Sequence, residues 1–182
     1  MTQIAFGIDD RKVSPYKPED AISISREITF QEDVDDYSFI TDVLLLLAIS
    51  VERRAERVNL YGEGVTLKMT FSDMKSITRS RLIPSSRSAV TIYEEATRLL
   101  EQAPHKAVRL VGIGIYHLVG EYGRQLRFDD FMPEVKEQQE EKANAALEKL
   151  HQHYGLDFAG NLDKIFHGET LYRTIEYMRK HR

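Results

Sequence analysis

Residues 66–83 read TLKMTFSDMKSITRSRLI, and this stretch decides the fold. Two runs of alternating side chains flank a short polar turn around Asp73, which predicts a β-hairpin with strands over about 65–72 and 76–83. The glycines of YGEG (61–64) predict a break in the chain before the hairpin. Because successive side chains of a strand point to opposite faces, the first strand has one apolar and one polar face. The two sets are Leu67, Met69 and Phe71, and Thr66, Lys68 and Thr70.

The segments that flank the hairpin predict an α+β fold with the order β-α-β-β-α-β. ISISREITF (22–30) alternates like a strand, and Asp35 or Asp36 can cap a helix that ends near residue 57. A second helix is predicted over about 88–102, and the mostly apolar VRLVGIGIYHL (108–118) predicts the last strand. We expect a four-stranded antiparallel sheet with two helices on one face and an open second face.

Composition divides the chain into three predicted parts. Residues 1–20 are interpreted as an interdomain tether, because DDRKVSPYKPED is polar, contains two prolines and lacks periodicity. Residues 21–120 form the predicted domain. Residues 121–182 are expected to be a tail or small appendage with sparse apolar positions, including a charged helix over about 134–154 and a short helix over about 172–180.

Positive charge is concentrated in the middle of an acidic chain. The net charge is −4, yet residues 68–109 hold 8 bases and 4 acids. Phosphate binding depends on the local potential, so this segment is a candidate nucleic-acid surface despite the overall charge. From charge alone, an ordinary solvated surface explains the same segment equally well.

The sequence offers no candidate for catalysis or for metal binding. No cysteine is present, which excludes disulfides, thiolate zinc sites and cysteine nucleophiles. The acidic pairs fall in extended segments, at a helix start or in a loop, where capping and solvation explain them better than metal binding. They are Asp9-Asp10, Asp35-Asp36 and Asp129-Asp130. Gly112 and Gly114 lie within a predicted strand, where glycine allows close backbone approach or bending and does not form a dinucleotide loop.

No secretory signal is visible in MTQIAFGIDD, and no apolar run is long enough to span a bilayer. We therefore expect a cytoplasmic protein with no membrane partner.

Three segments taken together resemble the little-finger domains of Y-family translesion DNA polymerases, in particular those of the bacterial DNA polymerase IV type. The matching residues occur in order along the chain over about 7–131. They are Ser23-Ile24-Ser25-Arg26-Glu27 with Thr29-Phe30, Thr66-Leu67-Lys68, Asp73, Thr78-Arg79-Ser80, and Val108-Arg109-Leu110-Val111-Gly112. Ala21 departs from the pattern, because that strand usually begins with lysine.

The resemblance implies a sheet that grips the phosphate backbone of primer-template DNA without reading its sequence. The implied contacts are Ser23, Ser25, Arg26, Lys68, Thr78, Arg79, Ser80, Arg81 and Arg109. Strict alternation places Thr78 and Ser80 on one face and Arg79 and Arg81 on the other, so both sets reach DNA only if the strand bulges or the arginines extend around an edge.

The catalytic carboxylates of this family, which hold magnesium, belong to a palm domain with no counterpart in these residues. The chain is therefore expected to be a non-catalytic portion with no cofactor of its own. Its implied partners are the palm, fingers and thumb of the parent enzyme.

Gln125-Leu126-Arg127-Phe128 resembles the sliding-clamp peptide that these polymerases often carry after the last strand. Gln125 would form hydrogen bonds in the clamp, while Leu126, Phe128 and Phe131 would fill an apolar pocket. The alternative is a loop whose apolar side chains pack on the domain's own core.

Two functions from different classes remain open at this point. The first is a DNA-binding and clamp-docking domain of an error-prone polymerase. The second is a protein-interaction module that kept the fold without DNA binding, which the overall acidity and the charged tail favour.

Overall fold

Eight helices and strands lie within the residues that the structure, a computed structural model, describes: 21–121, 133–156 and 170–181. They are β1 (Ser23–Val34), α1 (Tyr37–Arg57), β2 (Leu60–Phe71), β3 (Ser76–Ser86), α2 (Ala89–Glu101), β4 (Val108–Gly120), α3 (Pro133–Tyr154) and α4 (Thr170–Lys180). None of the helices in these ranges combines the length and apolar character needed to cross a membrane.

The four strands form one antiparallel sheet in the order β1-β4-β2-β3. The last strand of the sheet therefore lies between the first and the second, and β1 and β3 are the two edges. The predicted fold class is confirmed: the chain has an α+β architecture with the order β-α-β-β-α-β and a helical C-terminal region.

The predicted break at residues 61–64 is wrong, because β2 runs through this segment. Gly62 and Gly64 provide space for side chains of β4 and do not turn the chain. A Cβ atom at Gly62 would lie 2.5 Å from Ile115 Cβ, and one at Gly64 would lie 2.2 Å from Tyr116 Cζ. Glycine is therefore required here by packing against the neighbouring strand.

The core lies between the sheet and the two helices α1 and α2. Asp36 starts α1, because its Oδ1 accepts hydrogen bonds from the backbone amides of Ser38 at 2.7 Å and Phe39 at 3.2 Å. The apolar side of β2 faces the helices, with Val65, Leu67, Met69 and Phe71 buried. Glu52 on α1 accepts a hydrogen bond from the backbone amide of Ala89 at 2.8 Å, which fixes the start of α2 against α1. Burial raises the pKa of the Glu52 carboxyl.

The two C-terminal helices pack on this core. Their apolar positions are few, but they are buried in the same hydrophobic cluster as the sheet: Leu147, Leu150, Tyr154, Leu171, Ile175 and Met178. The Tyr154 hydroxyl donates a hydrogen bond of 2.6 Å to Asp42 on α1. Burial raises the pKa of both groups.

Helix α4 also contacts the outer strand β1. The backbone amide of Gln31 donates to Glu176 Oε1 at 3.4 Å, and Arg179 forms an ion pair with Glu32 at 2.7 Å. An edge strand has backbone groups without a partner strand, and α4 satisfies one of them here. The other outer strand, β3, is contacted by α2, where Arg81 of β3 pairs with Glu95 of α2 at 3.6 Å.

The burial of Ile175 predicts that α4 unfolds together with the domain. Ile175→Ala should lower the free energy of unfolding by about 2–5 kcal/mol, because it leaves a cavity at a fully buried position. The measurement is urea unfolding followed by circular dichroism. Lys180→Ala, at an exposed position of the same helix, is the control and should change stability by less than about 0.5 kcal/mol. Equal stability of the two variants would show that α4 does not contribute to the cooperative core.

Candidate nucleic-acid interface

Strand pairing aligns four rows of residues across the sheet face that points away from α1 and α2, which we call the open face. Each row contains one residue from β3, β2, β4 and β1, in that order. The rows are Ser76–Thr70–Leu110–Thr29, Thr78–Lys68–Gly112–Glu27, Ser80–Thr66–Gly114–Ser25 and Leu82–Gly64–Tyr116–Ser23.

Two glycines make the centre of the open face flat. A Cβ atom at Gly114 would lie 2.6 Å from Ser25 Cβ and 2.8 Å from the carbonyl oxygen of Ile24. One at Gly112 would lie 2.6 Å from Glu27 Cβ. The prediction that these glycines allow close backbone approach is confirmed, since β1 could not lie this close to β4 with larger residues.

Hydroxyl groups dominate the rest of the open face. The Thr70 and Ser76 hydroxyls are hydrogen-bonded at 2.8 Å, and the Thr66 hydroxyl donates to the Arg79 carbonyl at 3.2 Å. The charged members of the four rows are Lys68 and Glu27. Lys68 Nζ lies 2.9 Å from Glu27 Oε2, so the two side chains meet across Gly112.

The structure separates the predicted contact residues by face. Those on the open face are Ser23, Ser25, Lys68, Thr78 and Ser80. Arg79, Arg81 and Arg26 are paired with residues of the apolar, helix-facing rows: Leu67, Val65 and Ile113. The Nε of Arg26 is buried without a hydrogen-bond partner, and Arg109 lies where the strand register is irregular.

β3 is an edge strand, so the side chains of both its faces lie beside the same outer edge of the sheet. Residues 78–82 are all exposed. Alternate residues of an outer antiparallel strand direct their backbone N–H and C=O groups away from the sheet. Hydroxyls from one face, guanidinium groups from the other and outward backbone amides therefore flank the same edge. We call this set, residues 78–82, the β3 edge.

Internal carboxylates neutralise most of the predicted cations. Arg81 Nε lies 3.6 Å from Glu95 Oε2 on α2, and Glu95 also pairs with Arg98. Arg109 pairs with Asp33 at 3.5 Å, and Lys68 pairs with Glu27. Arg79 forms no ion pair within the part of the chain that the structure describes. Sequence reasoning missed these carboxylates, because each lies far along the chain from its partner.

Gln125, Leu126, Phe128 and Phe131, the predicted clamp-binding residues, lie outside the described residues. The described ranges also contain no group of three or more histidine, aspartate or glutamate side chains that could hold a metal ion. The site residues that can be placed are therefore those of the open face and the β3 edge.

Comparison with known proteins identifies a matching family. The family model described as impB/mucB/samB family C-terminal domain matches residues 21–128. The DNA polymerase IV of Clostridium perfringens is 33% identical over 137 residues, which cover 71% of this chain and 37% of that polymerase. The DNA polymerase IV of Desulfatibacillum aliphaticivorans is 35% identical over 156 residues, covering 83% of this chain and 38% of that polymerase. The chain thus spans less than two-fifths of the length of either relative.

Similar solved structures include a complex of the beta-clamp processivity factor and the little finger domain of PolIV. This chain is 23% identical to that structure with a TM-score of 0.48, over 58% of this chain and 97% of that one. A post-insertion binary complex of Dbh DNA polymerase is 16% identical with a TM-score of 0.48, over 54% of this chain and 29% of that one.

The close approach at Gly114 predicts that even one methyl group disturbs the open face. Gly114→Ala should lower the free energy of unfolding by about 1–3 kcal/mol, because the new Cβ collides with the backbone of β1. Chemical denaturation provides the measurement. Gly120→Ala is the control on the same strand, because an added Cβ there meets nothing within 4 Å. If both variants are as stable as the original chain, the flat centre does not depend on glycine.

Proposed function

Because the chain belongs to the impB/mucB/samB family of C-terminal domains, the little-finger domains of Y-family DNA polymerases, we propose that it grips primer-template DNA for an error-prone translesion polymerase of the DNA polymerase IV type. The observation that carries this proposal is the β3 edge. Exposed hydroxyls, Arg79 and outward backbone amides lie together there, and all three kinds of group bind phosphate oxygens.

The chemistry of the interface favours phosphate contacts over base reading. Contacts to phosphate and sugar fix the position of a protein on DNA but carry no sequence information directly. A polymerase that copies damaged templates benefits from such a grip, because a lesion changes the base and leaves the phosphate backbone in place. We therefore propose that the grip is independent of sequence.

Nucleotide transfer is assigned to the remainder of the parent enzyme. Two-metal catalysis needs converging carboxylates that hold divalent ions. Among the described residues, no group of three or more histidine, aspartate or glutamate side chains could hold a metal ion. We propose that the palm holds the magnesium ions and that the palm, fingers and thumb are the chain's covalent or assembled partners.

The sliding clamp is the second proposed partner. The support is the sequence of Gln125, Leu126, Phe128 and Phe131, which provides one amide and three apolar side chains in the order of a clamp-binding peptide. In this proposal the open face and the clamp peptide serve different partners.

A protein-interaction module without DNA binding is the competing function. The observation that favours it is the internal neutralisation of Lys68, Arg81 and Arg109. Binding to primer-template DNA at several salt concentrations distinguishes the two. An affinity that falls steeply with salt supports DNA binding, while an absence of binding even at low salt supports the competing function.

The different ion pairing of the two arginines of the β3 edge predicts different effects of their removal. Arg79→Ala should reduce the slope of log affinity against log salt concentration by about one, as expected for one lost phosphate contact. Arg81→Ala should reduce it less, because Arg81 must leave Glu95 to reach DNA. Fluorescence anisotropy on two duplexes of unrelated sequence measures both.

Arg57→Ala is the matched control for these variants, since Arg57 is an exposed arginine on α1, on the other side of the sheet. An equal change in slope for Arg57→Ala and Arg79→Ala would show that binding follows net charge only. If a variant changes the preference between the two duplexes, the lost contact reads bases and does not bind phosphate.

The clamp proposal predicts a separation of binding from stability. Leu126→Ala combined with Phe128→Ala should abolish clamp binding, measured by surface plasmon resonance, while the melting temperature stays nearly unchanged. If the two side chains instead pack on the domain, the double variant should lose about 2–5 kcal/mol of unfolding free energy, as buried large-to-small changes do.

A further inference from the structure

Lys68 is the cation at the centre of the open face, and its position is set by another side chain of this chain. Its Nζ lies 2.9 Å from Glu27 Oε2, and both side chains are about half exposed, at 45% and 52%. Strand pairing places Lys68, Gly112 and Glu27 in one row. Because Gly112 has no side chain, nothing stands between the ammonium and the carboxylate.

This ion pair neutralises the positive charge of Lys68 on the open face. Thr78 is the remaining member of the row, and the neighbouring rows contain no charged side chain. A phosphate that approaches Lys68 therefore meets a neutral ion pair, because the Glu27 carboxylate already lies 2.9 Å from the Lys68 ammonium. Like charges repel, so Lys68 binds phosphate only by exchanging one anion for another.

We propose that Glu27 is an internal counterion that competes with DNA phosphate for Lys68 and thereby limits the strength of the grip. This inference rests on the proposed function and names a residue that regulates it from within the same face. Glu27 is not itself a DNA contact. A grip weakened in this way allows the domain to release and rebind the duplex as the enzyme advances.

The test compares the full chain with Glu27→Gln, which keeps the size of the side chain and removes its charge. Affinity for primer-template DNA should rise by about two- to fivefold, the range that an exposed ion pair supports. The salt dependence should also become steeper, because in the original chain the displaced Glu27 carboxylate takes up a cation when Lys68 moves to phosphate. Anisotropy titrations with a duplex of arbitrary sequence measure both quantities.

Two further variants distinguish the proposed competition from a general effect of net charge. Glu56→Gln makes the same change in net charge on an exposed position of α1, and it should change affinity much less. In the background of Lys68→Ala, Glu27→Gln should lose its effect, since the two residues act as one coupled pair. Thermal unfolding of each variant verifies that it is folded before its affinity is compared.

Each outcome decides the matter. A gain that requires Lys68 supports the proposal, and an equal gain with and without Lys68 overturns it in favour of a general charge effect. If the original chain binds DNA and Glu27→Gln does not raise the affinity, the proposal that Glu27 competes with phosphate is wrong, while the proposed function stands. If the original chain binds no DNA at low salt, the proposed function fails and the competition fails with it.

Discussion

The candidate interface depends on one constraint, the insertion of β4 between β1 and β2 with glycine at alternate positions. The side of β4 that faces the helices is apolar, with Val111, Ile113 and Ile115 buried. The other side has Gly112 and Gly114, which let β1 lie close enough for Lys68 and Glu27 to meet. The core and the flat open face are therefore two consequences of the alternation in a single strand.

The same strand order determines which parts of the sheet are accessible. With β4 and β2 in the middle, β1 and β3 are the edges; α4 contacts β1, and α2 contacts β3. The β3 edge is left with exposed residues on both faces. An outer strand with unpaired backbone groups tends to associate with other strands, and charged side chains are one means of preventing this. Arg79 and Arg81 supply such charges at this edge.

Electrostatic balance distinguishes this domain from a simple basic surface. The segment 68–109 has an excess of bases, yet the carboxylates of Glu27, Glu95 and Asp33 neutralise cations in and around it. Exposed ion pairs of this kind contribute little to stability, so their effect falls mainly on what the cations can bind. Counting charges along the sequence therefore overestimates the positive potential of the folded surface.

The sequence by itself determined the elements and the faces of the hairpin, because both follow from periodicity within a few residues. The alternation around Asp73 predicted the hairpin, and the acids at 35 and 36 predicted a helix start that the structure places at Asp36. Local reasoning was wrong at residues 61–64, since the same glycines that favour a turn also favour close packing between strands. A turn and a close approach of two strands therefore give the same local pattern of glycines in the sequence.

Only the tertiary structure decided which strand forms the edge, which cations are paired and how the C-terminal helices pack. Lys68 and Glu27 are 41 residues apart, and Gln31 and Glu176 are 145 residues apart. No local pattern encodes such contacts, because they depend on the order of the strands within the sheet and on the few apolar side chains that pack α3 and α4 on the core. Secondary structure is set by neighbours in the chain, whereas the charge and the accessibility of the interface are set by neighbours in space.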